Sequence, residues 1–142
     1  MSIRVVRDIL LIIFFVINTC LDIKSREVSF ASVLFFGTAG LILALMQGKE
    51  GLLQSITGIL PGLVMLGTAR LTREAVGYGD GAALAVCGIY LGIRDAFQVV
   101  CYALFLCSLL SGIWIMLKKK NKKMAVPFIP YLLSGIVCSR LF

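Results

Sequence analysis

The sequence predicts an all-α integral membrane protein, a bundle of about six transmembrane helices in one domain spanning residues 1–142. Hydrophobic residues make up 60% of the chain and the mean hydropathy is +1.02, whereas a soluble domain is about 45–50% apolar. The apolar residues also gather into six runs of 13 to 21 residues, where crossing a bilayer takes about 20. These runs cover 9–21, 30–46, 52–71, 76–92, 97–117 and 124–137.

The first three runs predict helices with distinct ends. Arg4 and Arg7 precede the first run as in a signal peptide, but no small-residue cleavage site follows, so we expect a retained helix that ends at Asp22. The second run is followed by a short polar turn at 47–51. The third run has Pro61-Gly62 in its middle, and because proline removes a backbone donor, a kink is expected there.

The later runs give the orientation. We expect a tight turn at Arg94-Asp95, between the fourth and fifth runs, and a loop at 118–123 with five lysines before the last run. Cytoplasmic loops carry an excess of Lys and Arg. With the lysine loop in the cytoplasm, nine of the 14 basic residues lie on that side. The sequence therefore predicts a multi-pass membrane protein, whose loops after the first, third and fifth helices face the cytoplasm.

The composition excludes several functions. The chain has no histidine, so a Ser-His-Asp triad, a Cys-His pair and an HExxH zinc site are all impossible. Its five cysteines lie in or beside apolar runs without a CxxC pair and are expected to pack as small hydrophobes. We expect no metal and no cofactor. We also expect no nucleic-acid partner, because basic residues are not interleaved with aromatic ones.

Asp80 is the acidic residue with no obvious neighbour to neutralise it. It lies between Gly79 and Gly81 at the head of the fourth run, with no basic residue within five positions. A charge at the edge of a bilayer is costly and is a functional candidate, although an aspartate there can also simply cap the helix. Five other acids directly follow a basic residue and are expected to form solvated pairs: Asp8, Glu27, Glu50, Glu74 and Asp95.

Asp22, at the end of the first run, is the predicted partner of Asp80. The second and third runs lead out and back, so both aspartates are expected at one membrane face. Asn18 lies one turn before Asp22, and a buried Asn seeks a hydrogen bond across a bundle, so this helix face is expected to point inward. Two carboxylates that meet there could share a proton and activate a water molecule. Small residues at helical spacing predict that the fourth helix packs closely against its neighbours: Gly77, Gly81, Ala85, Gly88 and Gly92.

Three segments together resemble the type IV prepilin peptidases. Gly77-Tyr78-Gly79-Asp80 is similar to the GxGD motif of that family, and the segment 21–28 resembles its first aspartate motif. The segment 126–132 resembles its PFxPxL element. The chain departs from the family pattern in two places. Ala82 stands where a lysine is frequent, and Val28-Ser29-Phe30 stands where Ile-Pro-Asn is frequent.

The resemblance implies an aspartic endopeptidase that cleaves the short basic leader from prepilins or pseudopilins at the cytoplasmic face. Asp22 and Asp80 would be catalytic, with Gly77, Gly79 and Asn18 supporting them. The chain resembles the short forms of Flp/Tad systems and archaeal preflagellin peptidases, so N-methylation of the product is not implied. Helix dipoles, worth roughly 0.3–1 kcal/mol each, predict that Asp80 is the ionised base and Asp22 the protonated acid.

Two other functions remain open from the sequence. Asp80 and Asn18 could line the polar path of a small proton-coupled transporter. The same scaffold could also serve as a non-catalytic membrane assembly factor, inactivated by the departures at Ala82 and at 28–30. Neither alternative predicts proteolysis.

Overall fold

The computed structural model describes residues 2–25, 28–72, 77–118 and 128–141, and within these ranges the ordered elements are all α-helices. The predicted all-α class is therefore confirmed for this part of the chain. The helices are α1 Ile3–Ser25, α2 Phe30–Met46, α3 Gly48–Gly58, α4 Leu60–Leu71, α5 Tyr78–Leu91, α6 Ile93–Lys118 and α7 Ile129–Leu141.

The third apolar run is divided by its proline. The predicted kink lies at Ile59, where α3 gives way to α4, two residues before Pro61. Pro61 sits in the first turn of α4, where its missing N–H is not needed, so the helix restarts there without losing a hydrogen bond. Helices α3 and α4 together still form one apolar stretch, Gly48–Leu71.

Two helical stretches are long and apolar enough to cross a bilayer, by length and composition: Gly48–Leu71 and Ile93–Leu117. Three further apolar helices are shorter: Phe30–Met46, Tyr78–Leu91 and Ile129–Leu141. Many large apolar side chains of α6 point away from the bundle, including Phe105, Ile113 and Trp114. An outer surface of this kind suits contact with lipid, and the predicted number of about six spans stays a prediction.

The chain reverses at two glycines with positive φ. Gly48, with φ of 81°, begins α3, so the polar turn predicted at 47–51 is confined to Gln47 and Gly48. Gly92, with φ of 86°, separates α5 from α6. The turn predicted at Arg94-Asp95 is wrong, because both residues lie in the first turn of α6. A glycine adopts this backbone conformation without the steric cost that a charged pair would meet.

Helix α5 lies at the centre of the bundle and contacts each of the other six helices. Its buried residues occur on all sides of the helix, and the small ones face α3 and α4. Gly81 lies against Leu66, Ala85 lies against Gly62, and the backbone of Gly88 touches that of Gly58. The close packing predicted from the small residues is thus confirmed for Gly81, Ala85 and Gly88.

The polar groups at the end of the bundle away from Asp80 pair differently from the prediction. Asp8 does not form a solvated pair with Arg7, and its carboxylate instead accepts a 2.5 Å ion-pair hydrogen bond from Arg140 of α7. Arg7 is buried, and it donates hydrogen bonds to Gln47 and to the carbonyl oxygen of Ile89. Sequence neighbours on a helix do not face each other, which explains why Arg7 and Asp8 take different partners.

We predict that Gly92→Ala destabilises the bundle. At Gly92 the backbone has φ of 86° and ψ of 172°, and an added Cβ would lie 2.5 Å from Gln54 Cγ. Such a conformation is open essentially to glycine alone, so the substitution is expected to cost about 1–3 kcal/mol. The measurement is thermal unfolding of the purified protein in detergent. The control is Gly67→Ala in α4, where no atom lies within 4 Å of the new Cβ, and the two variants melting together would contradict the prediction.

Candidate functional site

Asp22 lies in the last turn of α1, on the inward face of that helix. The buried side chains of α1 recur at helical spacing and define this face: Arg7, Leu11, Phe14, Phe15, Asn18 and Asp22. Asp22 is 8% exposed and Asn18 is fully buried. The predicted inward orientation of the Asn18 and Asp22 face is confirmed.

Asn18 connects α1 to the start of α2. Its amide nitrogen donates a 2.8 Å hydrogen bond to the carbonyl oxygen of Phe14, and its Oδ1 lies 2.9 Å from the hydroxyl of Ser32. The same hydroxyl lies 2.8 Å from the carbonyl oxygen of Ser29, the N-cap residue of α2. The cross-helix partner expected for Asn18 is therefore Ser32, and this contact fixes where the loop after Asp22 enters α2.

Asp80 is the third residue of α5 and is partly buried. The N-cap residue of α5 is Gly77, and it makes no side-chain cap hydrogen bond. Asp80 is therefore not the N-cap residue, which was the alternative explanation for an aspartate at this position. The carboxylate turns back toward the helix start, and a Cβ on Gly77 would lie 3.0 Å from Asp80 Oδ2. Glycine at position 77 therefore leaves the space that this carboxylate occupies.

The loop after α1 packs directly on the GxGD segment. A Cβ on Gly79 would lie 2.5 Å from Cγ2 of Val28, so only glycine allows this approach. Val28 follows Asp22 by six residues, and Gly79 directly precedes Asp80. The contact brings the last turn of α1 and the first turn of α5 to one place.

The two aspartates interact electrostatically. The negative charges of Asp22 and Asp80 lie close enough to repel each other. Two carboxylates in such a place hold a single proton more readily than they hold two charges. One can then accept a proton from water while the other donates one, the division of roles found in aspartic-protease dyads. Among the residues that the structure describes, no three Cys, Asp or Glu side chains gather as a metal site would require.

The segment at the start of the last helix contributes to the core. Ile129 and Leu132 are fully buried, and Phe128 packs against the same apolar cluster. Val126 and Pro127 lie outside the described residues, as do Arg26 and Glu27 of the first motif. The part of this segment that can be followed thus supports the bundle beside α1, which α7 contacts.

Three residues that matter for this geometry were not singled out from the sequence. Ser32 holds Asn18, Val28 fits against Gly79, and Arg7 reaches from α1 to α5. Ser32 and Val28 carry no charge, and although Val28 ends the motif-like segment 21–28, only the fold shows what either residue contacts. Arg7 could have been noticed, because it lies on the helix face that also carries Asn18 and Asp22.

Comparisons with known proteins agree on one family. Residues 9–116 match the model of the type IV leader peptidase family. A 60-residue segment, 42% of the chain, is 28% identical to a prepilin leader peptidase/N-methyltransferase of Xanthomonas campestris pv. campestris. That segment spans 21% of the length of the Xanthomonas protein, so the chain matches about a fifth of this curated relative. No solved structure matches the chain.

We predict that Gly79→Ala destabilises the protein and that Val28→Gly offsets part of the loss. The new methyl group overlaps the Val28 side chain, and overpacking of this kind costs typically about 1–3 kcal/mol. Removing the Val28 side chain relieves the overlap, so the double variant is expected to be more stable than the sum of the single effects. Thermal unfolding of the parent, both single variants and the double variant measures this coupling. Strictly additive effects would show that the two residues do not touch.

Proposed function

Because the chain belongs to the type IV leader peptidase family, we propose that it is an aspartic endopeptidase of the inner membrane that removes the short basic leader from prepilins or pseudopilins. The observation that carries the proposal is the convergence of two helix ends. Val28 packs on Gly79, and the charges of Asp22 and Asp80 repel each other across this contact. The family accounts for peptide cleavage, and the paired carboxylates account for how a chain without histidine performs it.

The proposed reaction needs one ionised and one protonated carboxyl group. The ionised aspartate takes a proton from water as the water oxygen attacks the scissile carbonyl carbon, and the protonated aspartate gives its proton to the carbonyl oxygen. Collapse of the tetrahedral intermediate breaks the C–N bond. The leaving amine takes up the proton that the base received from water, and the other aspartate regains its proton from a hydroxyl group of the intermediate as the C=O bond re-forms. The products are the leader carboxylate and the new N-terminus of the mature subunit.

We assign the base to Asp80 and the acid to Asp22. Asp22 lies in the last turn of α1, where a helix dipole disfavours negative charge, and Asp80 lies in the first turn of α5, where the dipole favours it. The two groups titrate as a coupled pair. Neutron diffraction in which the proton is found on Asp80 would reverse the assignment.

The remaining predicted site residues have supporting roles in this proposal. Gly77 leaves room for the Asp80 carboxylate, Gly79 admits Val28, and Asn18 fixes the loop that follows Asp22. Ala82 stands where a lysine is frequent in the family, so position 82 supplies no cation beside Asp80. We propose that the substrate's apolar stem lies in the bilayer beside the bundle while its basic leader lies in the cytoplasm.

We predict that Asp22→Asn and Asp80→Asn each reduce leader cleavage by roughly a thousand-fold or more, because residues that act as a unit fail together. The assay is co-expression with candidate prepilins, with leader loss read on a gel and enzyme accumulation measured in the same membranes. Asp95→Asn in α6 is the matched control, since it removes the same charge at the opposite end of α5. Cleavage retained in either variant would exclude the dyad.

The two other functions have their own outcomes. Flux of ions through proteoliposomes without proteolysis would favour a transporter, and normal pilus assembly by Asp80→Asn would favour an assembly factor.

We predict that the aspartate end of the bundle faces the cytoplasm. Ser25 ends α1 near Asp22, and Lys49 lies in the first turn of α3 at the opposite end, and both are exposed. Cysteines introduced as Ser25→Cys and Lys49→Cys are labelled with a membrane-impermeant maleimide in inside-out and right-side-out vesicles, against the parent as background. Ser25→Cys is expected to react in inside-out vesicles and Lys49→Cys in right-side-out vesicles. The opposite pattern would invert the topology.

A further inference from the structure

The two aspartate-bearing helices are also joined at their far ends. Arg7 lies on α1 about four turns before Asp22, and Ile89 lies on α5 about two and a half turns after Asp80. Nη2 of Arg7 donates a 2.9 Å hydrogen bond to the carbonyl oxygen of Ile89. Helices α1 and α5 therefore meet at two places, the aspartate end and the Arg7 end.

The acceptor at Ile89 is available because α5 stops there. In a continuing helix this carbonyl would bond to the N–H four residues later, but the chain turns away at Gly92, with φ of 86°. The Arg7 guanidinium supplies the missing donor, and its positive charge is favoured at a helix C-terminus. The hydroxyl of Ser55 on α3 donates a second hydrogen bond, 2.7 Å long, to the same oxygen.

The guanidinium is held from a second side. Nη1 of Arg7 donates a 2.7 Å hydrogen bond to Oε1 of Gln47, the residue between α2 and α3. Arg7 is 5% exposed, and its hydrogen bond to Ile89 is buried while the one to Gln47 is partly buried. The planar guanidinium of Arg7 has two fixed acceptors, so it restricts how far α1 can slide along α5. A lysine, with its single flexible ammonium group, would restrict this less.

A simple need for positive charge at this end does not explain Arg7. Arg4, one turn earlier on the same helix, is exposed and already supplies such a charge. The neighbouring carboxylate of Asp8 is paired with Arg140. Burying a guanidinium is costly unless its donors are used. Nη2 is used on α5 and Nη1 on the turn between α2 and α3, while Nε is buried without a hydrogen-bond partner among the described residues.

We propose that Arg7 is a positioning residue for the aspartate pair. It fixes the depth of α1 relative to α5, so that Asp22 meets Asp80 at the other end of the same two helices. This inference rests on the proposed function. In α1 the backbone between Arg7 and Asp22 is an uninterrupted helix, so a displacement at one end is carried to the other.

The test is the steady-state kinetics of leader cleavage by purified Arg7 variants, per molecule of folded enzyme. Arg7→Gln is expected to lower kcat about tenfold to a hundredfold, the cost of a misplacement of about 1 Å, while KM for the prepilin stays within about twofold. Arg7→Lys keeps the charge but reaches less far, so its kcat is expected to lie between that of the parent and that of Arg7→Gln. A purely structural role would reduce the amount of folded enzyme and leave kcat unchanged.

Two controls separate positioning from a general loosening of this end. Ser55→Ala removes the other hydrogen bond to the Ile89 oxygen without touching α1, and Arg4→Gln removes a charge from the exposed side of α1. Both are expected to keep kcat within about twofold of the parent, because neither changes the α1–α5 contact. A loss in Ser55→Ala equal to that in Arg7→Gln would overturn the inference.

The remaining outcomes are also decisive. Parental kcat in Arg7→Gln overturns the positioning role, and if that variant does not accumulate in membranes, parental kcat in Arg7→Lys overturns it instead. Asp22→Asn and Asp80→Asn are measured in the same assay. If they are inactive while the Arg7 variants are unimpaired, the dyad stands and the Arg7 inference alone fails. If either remains active, the proposed dyad fails whatever Arg7 does.

Discussion

The structure depends on how closely α5 approaches α3 and α4. The backbones of Gly58 and Gly88 touch, and Gly62 lies against the backbone of Ala85. In a bilayer, apolar side chains gain little by leaving lipid for protein, so helices are held by close van der Waals packing and by hydrogen bonds between them. The small residues of α5 provide that packing, and they allow a single helix to contact the six others. Asp80 lies in the first turn of this central helix, so its position is held by the packing of α5.

Buried polar side chains in the bundle are directed at backbone carbonyl oxygens. The hydroxyl of Tyr90 donates to the carbonyl of Phe36, and the hydroxyl of Ser55 donates to the carbonyl of Ile89. Such groups are costly in an apolar interior unless they are paired, so each contact both satisfies a donor and ties α5 to a neighbour. The hydrogen bond from Arg7 to Ile89 belongs to the same set, and it differs in joining α1, the helix of the other aspartate.

The polar groups are thereby sorted to the two ends of the bundle. At one end the loop residue Val28 fits against Gly79, and the carboxylates of Asp22 and Asp80 repel each other. At the other end the cations Arg7 and Arg140 find acceptors on different helices. The packing of α5 against its neighbours holds the helix that carries Asp80 in place within the bundle.

The helices follow from the amino-acid pattern alone, since apolar runs in a bilayer can satisfy their backbone hydrogen bonds only within themselves. The second run was predicted with the bounds that α2 has, and the small-residue spacing predicted which face of α5 packs closely. The inward face of Asn18 followed from its polarity. These features are local, because each depends on residues within a few turns of one another.

Which side chains meet across the bundle follows from how the helices pack, and not from any local pattern. The partner of Asp8 is 132 positions away and the acceptor of Arg7 is 82 positions away, and no local pattern carries such information. The turn expected at Arg94-Asp95 lies instead at Gly92, because the position of a reversal depends on which residue can adopt a positive φ where α5 meets Gln54. The approach of Val28 to Gly79 likewise depends on how the segment between α1 and α2 packs against the start of α5. Contacts across a bundle depend on the relative depth and rotation of whole helices, and these are set by all their packing partners together.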